Sequence, residues 1–305
     1  MYSELSPKLL FESPNRPETP TVSVLTTIYN REAFLDASIR STLASSFSDF
    51  ELILVDDCSK DNSIDIAIAA AKLDCRVRVF QNPSNLGDYG NRNAAASLAT
   101  GKYLKFVDSD DLIYRYSLAI MVDAMNCNPE AAFSLCHSLP EDESPYPWKL
   151  TPNEAYRKHF LGRGCLGSGP SGVIMRTELF HLLGRFRPEW GVLSDLDMWL
   201  RFASKYPMLL LPPGLVWWRR HEGQEFTSNS AATKYISNGF ALSRHALSSI
   251  DCPLRTPERT SALAKTKKRF VRHLYTITVR QRKPFLAIRL FRQAGLPLID
   301  LFRAF

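Results

Sequence analysis

Short apolar runs alternate along this chain with segments in which Ala, Leu and Ile recur at helical spacing, beginning after a polar, proline-bearing leader, residues 1–20. Val22–Ile28, Glu51–Val55, Arg76–Phe80, Tyr103–Val107 and Ala131–Leu135 have the length and composition of buried strands. Between them, Arg31–Ser46, Asn62–Leu73 and Tyr89–Ala99 carry the helical period, with Asp61 or Asn62 placed to cap the second. Strand, helix, strand in this order predicts an α/β fold with a mostly parallel sheet, because parallel neighbours need a crossover and a helix supplies it. The result is a Rossmann-like half over residues 21–138.

Farther along, the pattern loosens. Ser138–Pro152 holds four prolines and three acidic residues and reads as an exposed connection. Gly162–Gly172 carries five glycines, the composition of a flexible loop, and leads into a strand at Gly172–Met175. Asp195–Tyr206 reads as a helix with Leu196, Trp199, Leu200 and Ala203 on one face, and Met208–Leu211 as a strand stopped by Pro212 and Pro213. From Ser230 onward the chain is helical and basic. The organisation expected is therefore a leader, a domain over 21–229 with halves at 21–138 and 153–229, and a helical extension over 230–305.

Charge sharpens the last of these. The formal charge of +7 is carried by the C-terminal segment, where thirteen Lys or Arg from Arg255 to Phe305 face only Glu258 and Asp300. Such a segment suits an anionic lipid surface or an acidic substrate. Nucleic acid is disfavoured, since neither zinc-finger spacing nor an RNA-binding aromatic signature accompanies the charge. The six cysteines form no C-x-x-C pair or Cys/His ladder, so neither a zinc site nor a disulfide framework is signalled. With no signal-peptide core and no membrane-length apolar run, a cytoplasmic protein is expected, and the basic extension reads either as a peripheral attachment to the inner face of the membrane or as a helical pair that packs its apolar face on the catalytic domain and leaves its charges solvated.

At the ends of the apolar runs sit the residues that carry chemistry. Lys105 to Asp111, KFVDSDD, puts three carboxylates just past a buried strand, where an α/β sheet presents groups to a ligand; hard oxygens there suit Mg²⁺ or Mn²⁺ and a diphosphate. A plain turn with Asp111 capping the next helix is the structural alternative. Val55 to Asp61, VDDCSKD, places a second acidic pair after another strand, able to accept from a base imide or ribose hydroxyls, or simply to build an Asp/Ser turn. Asn85 to Asn93, NLGDYGNRN, is a loop running into a helix in which Arg92 can donate to a base carbonyl or a phosphate.

Together with Val22 to Asn30, VSVLTTIYN, these motifs occur in an order and spacing that resembles the large second family of GT-A fold glycosyltransferases, over about Val22 to Glu222. The resemblance implies a nucleotide-diphospho-sugar donor, UDP first among them, a divalent metal, Mn²⁺ or Mg²⁺, and inverting transfer to a carbohydrate or lipid-linked acceptor. It implies that Thr26 and Tyr29 line the base pocket, Asp57 accepts from the base imide, and Arg92 contacts the donor. Asp108 and Asp110 then correspond to the D-x-D pair, the first facing the ribose and the second the metal.

Val192 to Arg201, VLSDLDMWLR, is similar to the family's Glu-Asp motif at a helix start, with Ser194 in place of the usual Glu. Asp195 then stands where the catalytic base belongs, with Asp197 as its rival; a placed carboxylate that takes the acceptor proton contributes about 10²–10⁴-fold in rate. Trp217 to Glu222, WWRRHE, resembles the R-x-H ending of non-processive members and makes His221 a metal ligand or diphosphate contact. The Q-x-x-R-W pattern of processive synthases is absent. Two rivals remain: a phosphohydrolase with Asp108 as nucleophile, and a nucleotide-sugar-binding protein without catalysis, suggested by Ser194.

Overall fold

The computed structural model describes residues 6–136, 145–221, 224, 229–298 and 300, with only the backbone of 229–232. In chain order come β1 (Lys8–Glu12), β2 (Val22–Ile28), α1 (Leu35–Leu43), β3 (Phe50–Asp56), α2 (Ser63–Leu73), β4 (Val77–Gln81), α3 (Asp88–Ser97) and β5 (Tyr103–Phe106). Next are β6 (Leu112–Ile113), α4 (Ser117–Cys127), β7 (Phe133–Cys136), β8 (Trp148–Leu150), α5 (Pro152–Tyr156), β9 (Val173–Arg176) and α6 (Thr177–Leu182). The chain continues through α7 (Ser194–Lys205), β10 (Met208–Leu211), β11 (Val216–Trp217), α8 (Asn229–Ser248), α9 (Thr256–Val279) and α10 (Pro284–Gln293).

These elements group into two compact units that interleave along the sequence. The first comprises 1–150, 167–188 and 206–219; the second comprises 151–166, 189–205 and 220–305. The segment carrying Asp195 falls in the second unit.

The first unit is built on a nine-stranded sheet in the order β1-β4-β3-β2-β5-β9-β7-β10-β8. Strands β4, β3, β2 and β5 run parallel, while β1 and β9 join antiparallel at either side of that block. The chain leaves β2 for β3 and β4 and then returns to β2's other side with β5. That reversal lies between β2 and β5, and the carboxyl ends of strands at such a point are where open α/β sheets bind ligands. Every residue of β3 is buried, which explains its almost unbroken apolar run.

The exception inside β3 is Glu51, 1% exposed. Its carboxylate accepts from Arg78 Nη1 at 2.8 Å, Ser23 Oγ at 2.6 Å and Thr100 Oγ1 at 2.8 Å, so the buried charge is compensated. Gly101 is required beside it: a Cβ there would lie 2.5 Å from the Ser23 nitrogen.

Three readings need correction. The leader is not simply polar, because β1 pairs with the edge of β4 and packs Leu10 and Phe11 against the core. The connection Ser138–Pro152 ends in β8, which pairs with β10; residues 137–144 lie outside the described part. Asp111 caps no helix, since α4 begins only at Ser117 and Asp111 is 1% exposed.

In the second unit, α7 buries Met198, Trp199, Leu200, Phe202 and Ala203, and the Tyr156 hydroxyl donates to the Leu200 carbonyl at 3.1 Å. Helices α8, α9 and α10 enclose a core of their own: Phe240 stacks on Phe270 with centroids 4.3 Å apart, joined by Leu274, Ile277, Ala287, Leu290 and Phe291. Among the described residues, no helix is long and apolar enough to cross a membrane, and all six cysteines are free.

Candidate active site

At the end of β3 both neighbouring carboxylates bond to the fold, with Asp56 Oδ1 alone among their oxygens buried without a hydrogen-bond partner. Asp56, fully buried, accepts from the Ser59 nitrogen at 3.0 Å and Gln81 Nε2 at 3.2 Å. Asp57, 2% exposed, receives Asn82 Nδ2 at 2.7 Å and the Leu86 nitrogen at 2.9 Å on Oδ1, and the Gly87 nitrogen at 3.0 Å on Oδ2. Asp57 therefore fastens the Asn85–Gly87 loop, where Gly87 turns with φ of 74°, a conformation that glycine adopts without strain. Each carboxylate oxygen has two lone pairs, so Oδ2 retains an acceptor position beyond its Gly87 bond.

The end of β5 is organised differently. Arg92, on α3, is buried against the rings of Tyr89 and Phe106; its Nε reaches Asp88 and its Nη1 reaches Asp108 Oδ1, both at 2.8 Å. Burial alone would push the guanidinium pKa down, but the charges of Asp108 and Asp88 outweigh it and hold it well above the ordinary value. Arg92 is thus placed to turn Asp108, whose side chain is 24% exposed.

Asp110 is 13% exposed at its side chain, with Arg31 Nε 3.5 Å from its Oδ2, while Arg219 Nε donates to its carbonyl at 2.8 Å. Asp111 accepts from the Arg219 nitrogen at 3.2 Å through Oδ1, and its buried Oδ2 has no hydrogen-bond partner. Burial, then the neighbouring Asp108 and Asp110 charges, push the Asp111 carboxyl up to about 7.

Beneath this cluster lies a residue that the strand pattern concealed. Lys105 is fully buried in β5, and its Nζ donates to the Phe106 carbonyl at 3.0 Å and to the Ser171 carbonyl. Burial lowers its pKa to about 8 despite the opposing charges of Cys136, Asp108 and Asp111. The Ser171 Oγ in turn accepts from the Asp108 nitrogen at 3.0 Å. Lys105 thus ties the turn Pro170–Gly172 to the strand end that presents the carboxylates. Five glycines signalled a loose loop, but this lysine fixes one end of it.

On β2, alternation settles which side chain faces outward. Thr26, expected at the base pocket, is 2% exposed, whereas Thr27 is half-buried and Tyr29 is 45% exposed. Thr27 and Tyr29 are the accessible pair. The phase of a strand buried on both faces is invisible in its composition, so accessibility adds Thr27 beside Thr26 as a candidate for base contact.

In the second unit the acidic pair at the start of α7 divides clearly. Asp197, 2% exposed, is held by Arg201 Nη2 at 2.7 Å and Nε at 2.8 Å. Asp195 is only partly buried, and its Oδ1 accepts from the Leu196 nitrogen at 2.6 Å. Ser194 is buried, with its hydroxyl donating to the Gly191 carbonyl at 2.7 Å. His221 is half-buried and its backbone nitrogen donates to Gln224 Oε1 at 3.2 Å; Glu222 lies outside the described residues.

The β5 end fits a divalent cation. It offers hard oxygen donors in Asp108, Asp110 and Asp111, and one of the Asp111 oxygens, Oδ2, is buried without a hydrogen-bond partner. No group of three His, Cys, Asp or Glu side chains able to hold a metal occurs among the described residues, so the coordination would be completed largely by ligand oxygens.

A mostly parallel sheet with its acidic motifs at the strand ends defines a GT-A glycosyltransferase fold, and comparisons with known proteins give it a family. Residues 23–184 match Glycosyl transferase family 2, and the chain belongs to that family. TuaG of Bacillus subtilis, named for teichuronic acid biosynthesis, is 34% identical over 194 residues, covering 61% of this chain and 73% of TuaG. A glycosyltransferase of Haemophilus influenzae is 42% identical over 94 residues, but the match covers only 31% of this chain and 38% of that protein.

Among solved structures, Staphylococcus aureus TarS 1–349 with UDP-GlcNAc superposes with a TM-score of 0.68 at 19% identity, over 92% of this chain and 82% of that one. The mannosyltransferase PcManGT of Pyrobaculum calidifontis, with GDP-Man and Mn²⁺, gives 0.61 at 16% identity, over 98% and 81%. Both likenesses concern the fold. With the family established, the phosphohydrolase reading of Asp108 has no support.

Proposed function

We propose that this glycosyltransferase moves a sugar from a nucleotide-diphospho-sugar, a UDP-sugar first among candidates, to an acceptor hydroxyl with inversion at the anomeric carbon. The observation that carries the reading is the β5 end, where Arg92 orients Asp108 while Asp110 and Asp111 lie beside it. The UDP-GlcNAc and GDP-Man in the TarS and PcManGT structures support this donor class.

Thr27 and Tyr29 line the base, the remaining acceptor position on Asp57 Oδ2 receives its imide N–H, and Asp108 receives a ribose hydroxyl. Mn²⁺ or Mg²⁺, held by Asp110 and, on the resemblance, by His221, would supply Lewis-acid stabilisation of the departing diphosphate. Asp195 takes the proton of the attacking hydroxyl; Asp197, already paired with Arg201, is unsuited to that task. Inversion follows from a single displacement, since the nucleophile enters opposite the leaving group.

The acceptor is a carbohydrate or lipid-linked hydroxyl in polysaccharide or glycolipid synthesis, a reading supported by TuaG. The protein works in the cytoplasm, and its basic C-terminal region attaches it to an anionic membrane surface. The test is a panel of UDP-, dTDP- and GDP-sugars offered with Mn²⁺ and sugar acceptors, with the product's anomeric configuration read by NMR. An inverted glycoside is expected; a retained configuration, or donor binding without transfer or hydrolysis across the panel, would overturn the reading.

A further inference from the structure

Helices α9 and α10 satisfy both demands that their mixed sequence makes. One set of apolar side chains, Phe270, Leu274, Leu290 and Phe291, packs inward against Phe240. A second set is turned out. Phe285 is 86% exposed, Leu298 70%, Tyr275 53%, Val279 51% and Ile288 50%. Phe285 and Ile288 are three positions apart and share a face of α10.

Tyr275, Val279, Ile288 and Leu298 also belong to the wall of a groove of 730 Å³ between the two helices, completed by Phe291 and Leu296. A soluble surface seldom gathers large exposed apolar side chains around one depression without a partner for them. The surrounding charge indicates which partner. From Arg259 to Ile299 the sequence has eleven Lys or Arg and not one Asp or Glu. Of the cations, Arg272, Arg280, Arg282, Lys283, Arg289 and Arg292 are exposed. Apolar side chains that project beside exposed cations, on helices too polar to span, are the requirements of a surface that enters the headgroup region of an anionic bilayer.

We propose that the α9–α10 groove is a membrane-docking site in which Phe285, Ile288 and Leu298 enter the acyl boundary of an anionic bilayer while the flanking arginines meet lipid phosphates. The proposal deepens the peripheral attachment read above by locating it. It uses side chains remote in sequence from the strand-end carboxylates, so it can fail or stand independently of the glycosyl-transfer reading.

The experiment is cosedimentation of the full-length protein with vesicles of phosphatidylcholine alone and of phosphatidylcholine mixed with phosphatidylglycerol. Wild type should bind only the mixed vesicles and release them as salt rises. The variant Phe285→Ser/Ile288→Ser/Leu298→Ser, altered only at exposed positions, should lose at least about tenfold in partitioning even at low salt. Arg289→Gln/Arg292→Gln should weaken it about fivefold per charge.

Nucleoside diphosphate binding with Mn²⁺, measured on each variant, should match wild type. If that binding is absent from wild type while vesicle binding persists, the glycosyl-transfer reading fails and the docking site stands. Failure of wild type to bind mixed vesicles at low salt, or full binding by the apolar variant, overturns the proposal. So does a wild-type dimer that ignores vesicles and becomes monomeric in the apolar variant, because a second copy would then occupy the groove.

Discussion

Two strand ends in one sheet carry the same kind of sequence, a run of aspartates after an apolar strand, and the fold uses them in opposite ways. After β3, Asp57 is surrounded by Asn82 Nδ2 and the Leu86 and Gly87 nitrogens, so its carboxylate organises a loop. After β5, Asp108 and Asp110 are partly exposed and meet the cationic side chains of Arg92 and Arg31. An acidic motif is thus read by what donates to it. Deeply buried carboxylates that accept loop N–H groups hold structure, and partly exposed carboxylates beside arginines are placed to meet a ligand. The pair on α7 repeats the contrast, with Asp197 committed to Arg201 and Asp195 left partly accessible.

The largest effect expected from this contrast is on turnover. Asp195→Asn should retain donor binding and lose about 10²–10⁴-fold in kcat, measured as sugar transfer under donor saturation. Asp197→Asn should instead lower the melting temperature, since it weakens a buried ion pair, and leave much of the turnover. Near-normal transfer in Asp195→Asn with a dead Asp197→Asn would reverse the assignment.

Next in size, Asp57→Ala should destabilise the protein by about 1–3 kcal/mol in urea unfolding, because the Leu86 and Gly87 nitrogens and Asn82 lose their acceptor. It should also weaken nucleotide binding through the lost base contact and the loosened loop. Unchanged stability would mean that the Asn85–Gly87 loop does not depend on Asp57.

A smaller effect is expected at Lys105. Lys105→Met should keep the strand buried but release the Ser171 carbonyl, raising the KM for donor more than it lowers kcat. Equal loss of stability with no change in KM would reduce the lysine to a packing role.

The smallest effect depends on pH. The folded Asp111 carboxyl, at about 7, lies above the ordinary 3.8, so the stability it contributes is fully present below 3.8 and is lost as pH rises through about 7. In chelator-treated protein, Asp111→Asn should therefore gain stability relative to wild type across that window and little below it. A gain that is flat with pH, read by thermal unfolding, would contradict the burial of an ionising group there.

Much of the sheet was legible because buried parallel strands write themselves as continuous apolar runs: β2, β3 and β10 lie where composition placed them. What stayed hidden depends on partners far along the chain. The strand β1 exists because Leu10 and Phe11 find the core beside the edge of β4, and no local pattern announces that edge. The exposed side of β2 is a matter of phase, so composition alone does not point to Thr27. Lys105 looked like an interruption in an apolar strand, and its role appears only when Ser171 is brought beside it. The acidic motifs themselves were legible as residue types. Their division of labour was not, because it is set by which backbone nitrogens and guanidinium groups the fold directs at each carboxylate.

The most direct test of this division is calorimetric titration of UDP into wild type, Asp110→Ala and Asp57→Ala, each with and without Mn²⁺. Wild type should gain affinity with Mn²⁺, Asp110→Ala should lose that gain while melting at the wild-type temperature, and Asp57→Ala should bind more weakly in both conditions. A full Mn²⁺-dependent gain in Asp110→Ala would contradict the assignment of the β5 end as the metal and diphosphate site.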